Sequence, residues 1–163
     1  MIAAEQRDRA PGTEFVEAPE RILIASEGRA IPSSVIARAL ELARPRRASV
    51  RVLTIARIHG TSFGFPNPGL LPTKHEWNEQ RESVRKTVAR LQRKGIEANG
   101  HVLGTRKSTK SICREAELAG ADVIVMAADP DRNRLIGDMM WSQEPQRVRR
   151  RSKLPVILVR DGG

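Results

Sequence analysis

Tyrosine is absent from this 163-residue chain, which holds three phenylalanines, two tryptophans and one cysteine. With Cys113 alone no internal disulfide can form, and a reducing cytoplasm is the expected setting. So few aromatics exclude a base-stacking platform for single-stranded nucleic acid. No apolar run approaches the roughly 20 residues needed to cross a bilayer. The opening residues 1–6 carry neither the basic nor the apolar part of a secretory signal. Internal repeats and low-complexity segments are also missing.

What is present is an ordinary globular share of hydrophobic residues, 39 %, in a length that suits one domain with its own core. Basic residues outnumber acidic ones 29 to 19, for a net charge of +10. Such a surface attracts anions in general: nucleotides, nucleic acid, acidic proteins or lipid headgroups.

Residues 1–19 mix charge with Pro11, Gly12 and Pro19 and show little apolar periodicity, so they are expected to form a flexible or loosely docked arm ahead of a domain over 20–163. The run at 21–26 fits a strand buried on both faces. Ser33 and Ser34 offer helix-capping chemistry, Val35, Ile36, Ala39, Leu40 and Ala43 follow at helical spacing, and Pro45 closes that helix. Residues 48–55 form a second, β-branched strand. The irregular stretch 59–72 is long enough to be a lid or binding loop. Thr73 and Glu76 then read as a capping box, ahead of a helix with Trp77, Val84, Val88 and Leu91 on one stripe and Gly95 at its end. A weaker strand at 96–103, a helix carrying Ile112, Cys113, Ala116 and Ala119, and the buried strand 123–127 come next. A short helix from Asp129-Pro130, a last helix near Ser142 and a final strand over 155–160 complete the chain. Strands separated by helices specify right-handed βαβ units: an α/β fold with one doubly wound, five-stranded parallel sheet and helices on both faces.

Arg21-Ile22-Leu23-Ile24-Ala25, then Gly120-Ala121-Asp122-Val123-Ile124-Val125-Met126, then Arg147-Val148 with Pro155-Val156-Ile157-Leu158-Val159, resemble the universal stress protein family over about residues 20–160. The resemblance implies the Rossmann-like strand order 3-2-1-4-5 and a dimer formed through the last strand. It also implies a family in which some members bind ATP and others do not. The residues support the dimer independently. Val156, Ile157, Leu158 and Val159 are apolar without alternation, and a terminal strand of that kind needs its edge covered by a twin. The competing reading covers that edge with the chain's own arm.

Ligands in such sheets bind where the strand order reverses. Here that sets Ser26, Glu27 and Gly28 opposite Ala127, Ala128, Asp129 and Pro130, with Ile55, Met126 and Ser142 completing the candidate set. In ATP-binding members the loop after the fourth strand carries three spaced glycines whose N–H groups cradle phosphates. This sequence has Ala127, Pro130 and Met140-Trp141 or Trp141-Ser142 at those places. Pro130 has no N–H to donate, and Asp129 and Asp131 bring negative charge where phosphates would lie. Glu27 stands where the family has Asp. The same residues also read as a helix start, with Asp129 as cap and Pro130 in the first turn. ATP is therefore disfavoured as a cofactor. Phe63, Phe65 and Trp141 form a candidate lid over a small planar or anionic compound, or simply a hydrophobic cover over the sheet.

Gly60-Thr61-Ser62-Phe63-Gly64 matches a hydrolase nucleophile pattern, but Pro66 and Pro68 follow where a helix must begin. His59, His75 and His101 lack partners at metal-ligating spacing, so no metal site is expected. Cys113 reads as a small buried hydrophobe. Two basic clusters, at 106–110 and 147–153, suit phosphate backbones only in a non-specific, salt-sensitive way. The expected protein is a cytoplasmic, non-enzymatic stress-response homodimer with a degenerate nucleotide site and an unidentified protein partner. The alternatives are an ATP- or AMP-binding member with altered phosphate contacts, and a basic nucleic-acid-associated protein.

Overall fold

The computed structural model describes residues 17–58, 61–62, 65–66, 71–129 and 143–160. Five strands form one parallel sheet: β1 (Arg21–Ser26), β2 (Ser49–Arg57), β5 (Ala98–Thr105), β6 (Val123–Ala127) and β7 (Val156–Val159). Their order across the sheet is β5-β2-β1-β6-β7, the expected 3-2-1-4-5 arrangement. A separate two-stranded antiparallel hairpin, β3 (Thr61–Ser62) and β4 (Phe65–Pro66), lies within the stretch read as irregular. Ser62 thus sits on a hairpin strand, not at the strand-to-helix turn that a nucleophile elbow requires.

The helices are α1 (Ser33–Ala43), α2 (Lys74–Arg93), α3 (Ser108–Leu118) and α4 (Glu144–Arg151). Alternate residues of the central strands feed two cores. Ile22, Ile24, Val50, Val52, Val123 and Val125 pack with Val35, Ile36 and Ala39 of α1 and with Val84 and Leu91 of α2. Leu23, Ala25, Leu53, Ile55, Ile124 and Met126 pack on the other face with Ile112 and Ala116 of α3 and Val148 of α4. Both faces being covered explains the unbroken apolar runs of β1 and β6.

Local chemistry departs from expectation in three places. No side chain caps α1, whose N-cap is Pro32, and Ser33 Oγ instead accepts from Arg90 Nη1 of α2 at 2.9 Å. Thr73 Oγ1 caps α2 by accepting from the Glu76 N–H at 3.1 Å, but the Glu76 carboxylate faces the Arg57 N–H (3.4 Å), joining α2 to the end of β2. Trp77 is half-buried under the Arg81 guanidinium, 5.5 Å from the ring centre. Buried Gln80 and Thr87 extend the α2 stripe that Val84 and Leu91 carry. At the foot of the sheet, Asp122 Oδ2 accepts from the N–H groups of Glu20 (2.9 Å) and Arg21 (3.0 Å), fixing where β1 enters beside β6. The described end of the N-terminal arm is docked: Pro19 is buried, and Glu17 lies 3.5 Å from Arg46. Residues 1–16 lie outside the described residues.

Candidate functional site

The strand order reverses between β1 and β6, so their carboxyl ends frame the crevice in which doubly wound sheets take ligands. β1 ends at buried Ser26, and the chain turns at once. Ser26 Oγ donates to the Arg29 carbonyl and accepts from the Gly28 N–H at 3.3 Å. Gly28 has φ +121°, and a Cβ there would lie 3.1 Å from the Ile55 carbonyl oxygen and 3.2 Å from Arg57 Nε, so only glycine fits. The turn is also held from outside. Arg57 Nε donates to the Glu27 carbonyl at 2.7 Å, and Gln80 Nε2 donates to the Gly28 carbonyl at 2.9 Å.

Glu27 is only 2 % exposed, and a buried carboxylate needs a partner. Arg29 supplies it: its Nε donates to Glu27 Oε1. The same guanidinium crosses the switch point, where Nη2 donates to the Ala127 carbonyl at 3.2 Å and lies 3.4 Å from Asp129 Oδ1. One cation thus ties the loop after β1 to the loop after β6. Burial pushes the Asp129 carboxyl above its ordinary value; Arg29 opposes this, while Glu27 and Glu144 add to it. The Ala128 N–H continues the β6–β7 pairing by donating to the Val159 carbonyl at 2.8 Å. The cavity left between Ser26, Glu27, Arg29, Ile31, Val35 and Ala127 is about 10 Å³. That cavity has room for about one water.

Three buried side-chain atoms have no hydrogen-bond partner among the described residues: Thr54 Oγ1, Gln80 Oε1 and Asp129 Oδ1. Thr54 pairs in register with Ser26, and Gln80 reaches the Gly28 carbonyl, so all three belong to the region around the end of β1.

Of the residues singled out from the sequence, Ser26, Glu27, Gly28 and Ala127 converge on this turn, and Ile55 reaches it with its carbonyl. The side chains of Ile55 and Met126 do not: both are buried in the core on the α3 and α4 side. Phe63, Pro130, Trp141 and Ser142 lie outside the described residues, as does the side chain of Phe65, whose backbone is in β4. Sequence reasoning missed Arg29, Arg57 and Gln80. The available signal was the Glu-x-Arg spacing directly after a buried strand.

Elsewhere, Cys113 packs half-buried against the α3 and α4 core, and burial pushes its thiol up, which suits a small hydrophobe and not a nucleophile. Among the described residues no group of three or more His, Cys, Asp or Glu is placed to hold a metal ion, and no helix is long and apolar enough to cross a membrane.

The model of the Universal stress protein family matches residues 19–160. Among solved structures, the chain is similar to a universal stress protein family member from Burkholderia pseudomallei at 22 % identity. That match covers 86 % of this chain and 95 % of the other, with a TM-score of 0.64. It is similar to the universal stress protein from Archaeoglobus fulgidus in complex with dAMP (20 % identity, 89 % and 99 % coverage, TM-score 0.61). A universal stress protein family protein from Arabidopsis thaliana with AMP bound is also similar (12 %, 89 % and 93 %, 0.55). At these identities the likeness is one of fold. No curated protein matches the chain significantly.

Proposed function

Because the chain belongs to the universal stress protein family, we propose that it is a non-enzymatic, cytoplasmic stress-response protein that acts as a homodimer and whose nucleotide site has closed. The observation that carries this reading is Arg29. Its side chain occupies the crevice between β1 and β6 and is neutralised there by Glu27 and Asp129. A triphosphate entering that place meets two carboxylates and a cation already paired. Ala127, Pro130 and Met140 or Trp141 stand where phosphate-binding members have glycine, so the N–H cradle is also lost.

Dimerisation rests on β7. It ends the sheet beside β6, and Ile157, Leu158 and Val159 remain partly exposed on it, so pairing with a second β7 covers both its apolar surface and its open edge. Contacts with nucleic acid are non-specific and follow from net charge.

A second reading keeps an adenylate in the site with altered contacts. It is favoured by Thr54 Oγ1 and Gln80 Oε1, which lack hydrogen-bond partners among the described residues and which a ligand with polar edges would satisfy, and by the dAMP and AMP complexes of similar folds. Mass spectrometry of acid-extracted, freshly purified protein separates the two. A closed site releases no adenylate, whereas a near-stoichiometric yield of one sinks the lead reading.

A further inference from the structure

Among the described residues, a second concentration of positive charge lies away from the switch point. A groove of about 740 Å³ runs between the start of α3 and the exposed side of α4. Its lining includes Arg106, Lys107 and Lys110 from the α3 side and Arg147, Arg150 and Arg151 from α4. All six are exposed. The one carboxylate in the lining, Glu144, is taken by the Thr109 hydroxyl and lies 3.5 Å from Arg147. Lys107, Lys110, Arg150 and Arg151 have no carboxylate within ion-pair distance among the described residues.

Two features distinguish this patch from an ordinary solvated face. The α4 arginines in the last turn complement the negative end of their own helix, but Lys107 and Lys110 stand at the positive end of α3, with no acidic residue in its first turn and no side-chain cap. On α4, Arg147 repels Arg150 and Arg151 at three- and four-residue spacing, and the two helices, packed on one core through Ile112 and Val148, set Lys110 and the Arg106-Lys107 turn beside that row. Such a face attracts an anion that can run along it.

The lining contains no aromatic ring for stacking and no Asn or Gln for base edges. An orthophosphate reaches only part of a double row. We propose that the groove binds a linear oligophosphate, whose successive anionic groups run between the α3 and α4 cations. The proposal is independent of whether the crevice beside Arg29 is closed.

The probe is inorganic tripolyphosphate, titrated calorimetrically at about 150 mM KCl, where weak non-specific contacts are largely screened. The native protein is expected to bind it saturably, and Lys110→Glu/Arg150→Glu to bind at least tenfold more weakly. The charge-matched pair Lys86→Glu/Arg93→Glu on α2 should stay within threefold of native. If the reversal variant fails to fold, Lys110→Gln/Arg150→Gln is expected to show the same ranking. Equal losses in the groove and α2 variants, or no saturable heat with native protein, would overturn the proposal. So would duplex DNA that binds more tightly than tripolyphosphate at that salt and is lost in the groove variant. ATP bound by native protein but lost in the groove variant marks an oligophosphate tail held in the groove; ATP that survives in that variant points to the crevice instead.

Discussion

Arg29 reaches from the loop after β1 to the loop after β6, placing its guanidinium 3.4 Å from the Asp129 carboxylate while it pairs with buried Glu27. The relation makes Arg29 both a structural strap and an occupant of the crevice. It also fixes what each partner is worth.

Arg29→Ala strands Glu27, which is 2 % exposed, without its cation. Removing one member of a buried pair costs about 3–5 kcal/mol, and because Arg29 is itself 26 % exposed, a loss of roughly 2–3 kcal/mol is expected. Urea unfolding measures it. Adding Glu27→Gln should recover part of the loss, and a silent Arg29→Ala would remove the strap from the account.

Partial burial holds the Asp129 carboxyl above its ordinary value, so the folded protein holds that proton more tightly than the unfolded chain does. Its contribution to stability is therefore greatest in acid and falls as pH rises through the raised value. Asp129→Asn should flatten that fall and leave the protein at least as stable as native at pH 7. A loss there above about 1 kcal/mol would mean that the Arg29 attraction outweighs the burial cost.

Gly100 lets α2 approach the edge strand β5: a Cβ there would lie 2.6 Å from both the Val52 carbonyl oxygen and Val84 Cγ1. Gly100→Ala is expected to cost about 1–3 kcal/mol, with a drop in Tm of about 2–4 °C per kcal/mol. Val84→Ala in that background restores little, since the Val52 carbonyl cannot move away. An unchanged Tm would contradict the close packing.

The same glycine shows why part of the fold was hard to read. β1, β2 and β6 announce themselves because covered parallel strands must be apolar on both faces, whereas β5 lies at an edge and holds Gly100 and Gly104 for close approach, so its apolar signal is thin. The turn after β1 was legible as a site from topology, with Ser26, Glu27 and Gly28 placed at it. Arg29 and Gln80 were not, because a flexible cation and a polar residue on a charged helix gain their roles only from which atoms the fold sets beside them. Met126 and Ile55, named from topology, both turn their side chains by alternation into the α3 and α4 core.

Leu158→Asp puts a charge on the half-buried face of β7. If two β7 strands pair, light scattering should give a dimer mass for native protein and a monomer mass for the variant, with the secondary structure retained. A monomeric native protein, or a variant that stays dimeric, removes the strand-pairing interface.

The most direct test is a calorimetric titration with ATP and Mg²⁺, run on native protein and on Lys110→Glu/Arg150→Glu so that the crevice and the α3–α4 groove are read separately. With Arg29 across the crevice, the groove variant should give no saturable heat up to about 1 mM ATP, a limit near −4 kcal/mol. Micromolar affinity in that variant would show that adenylate enters between β1 and β6, and would contradict the closed site.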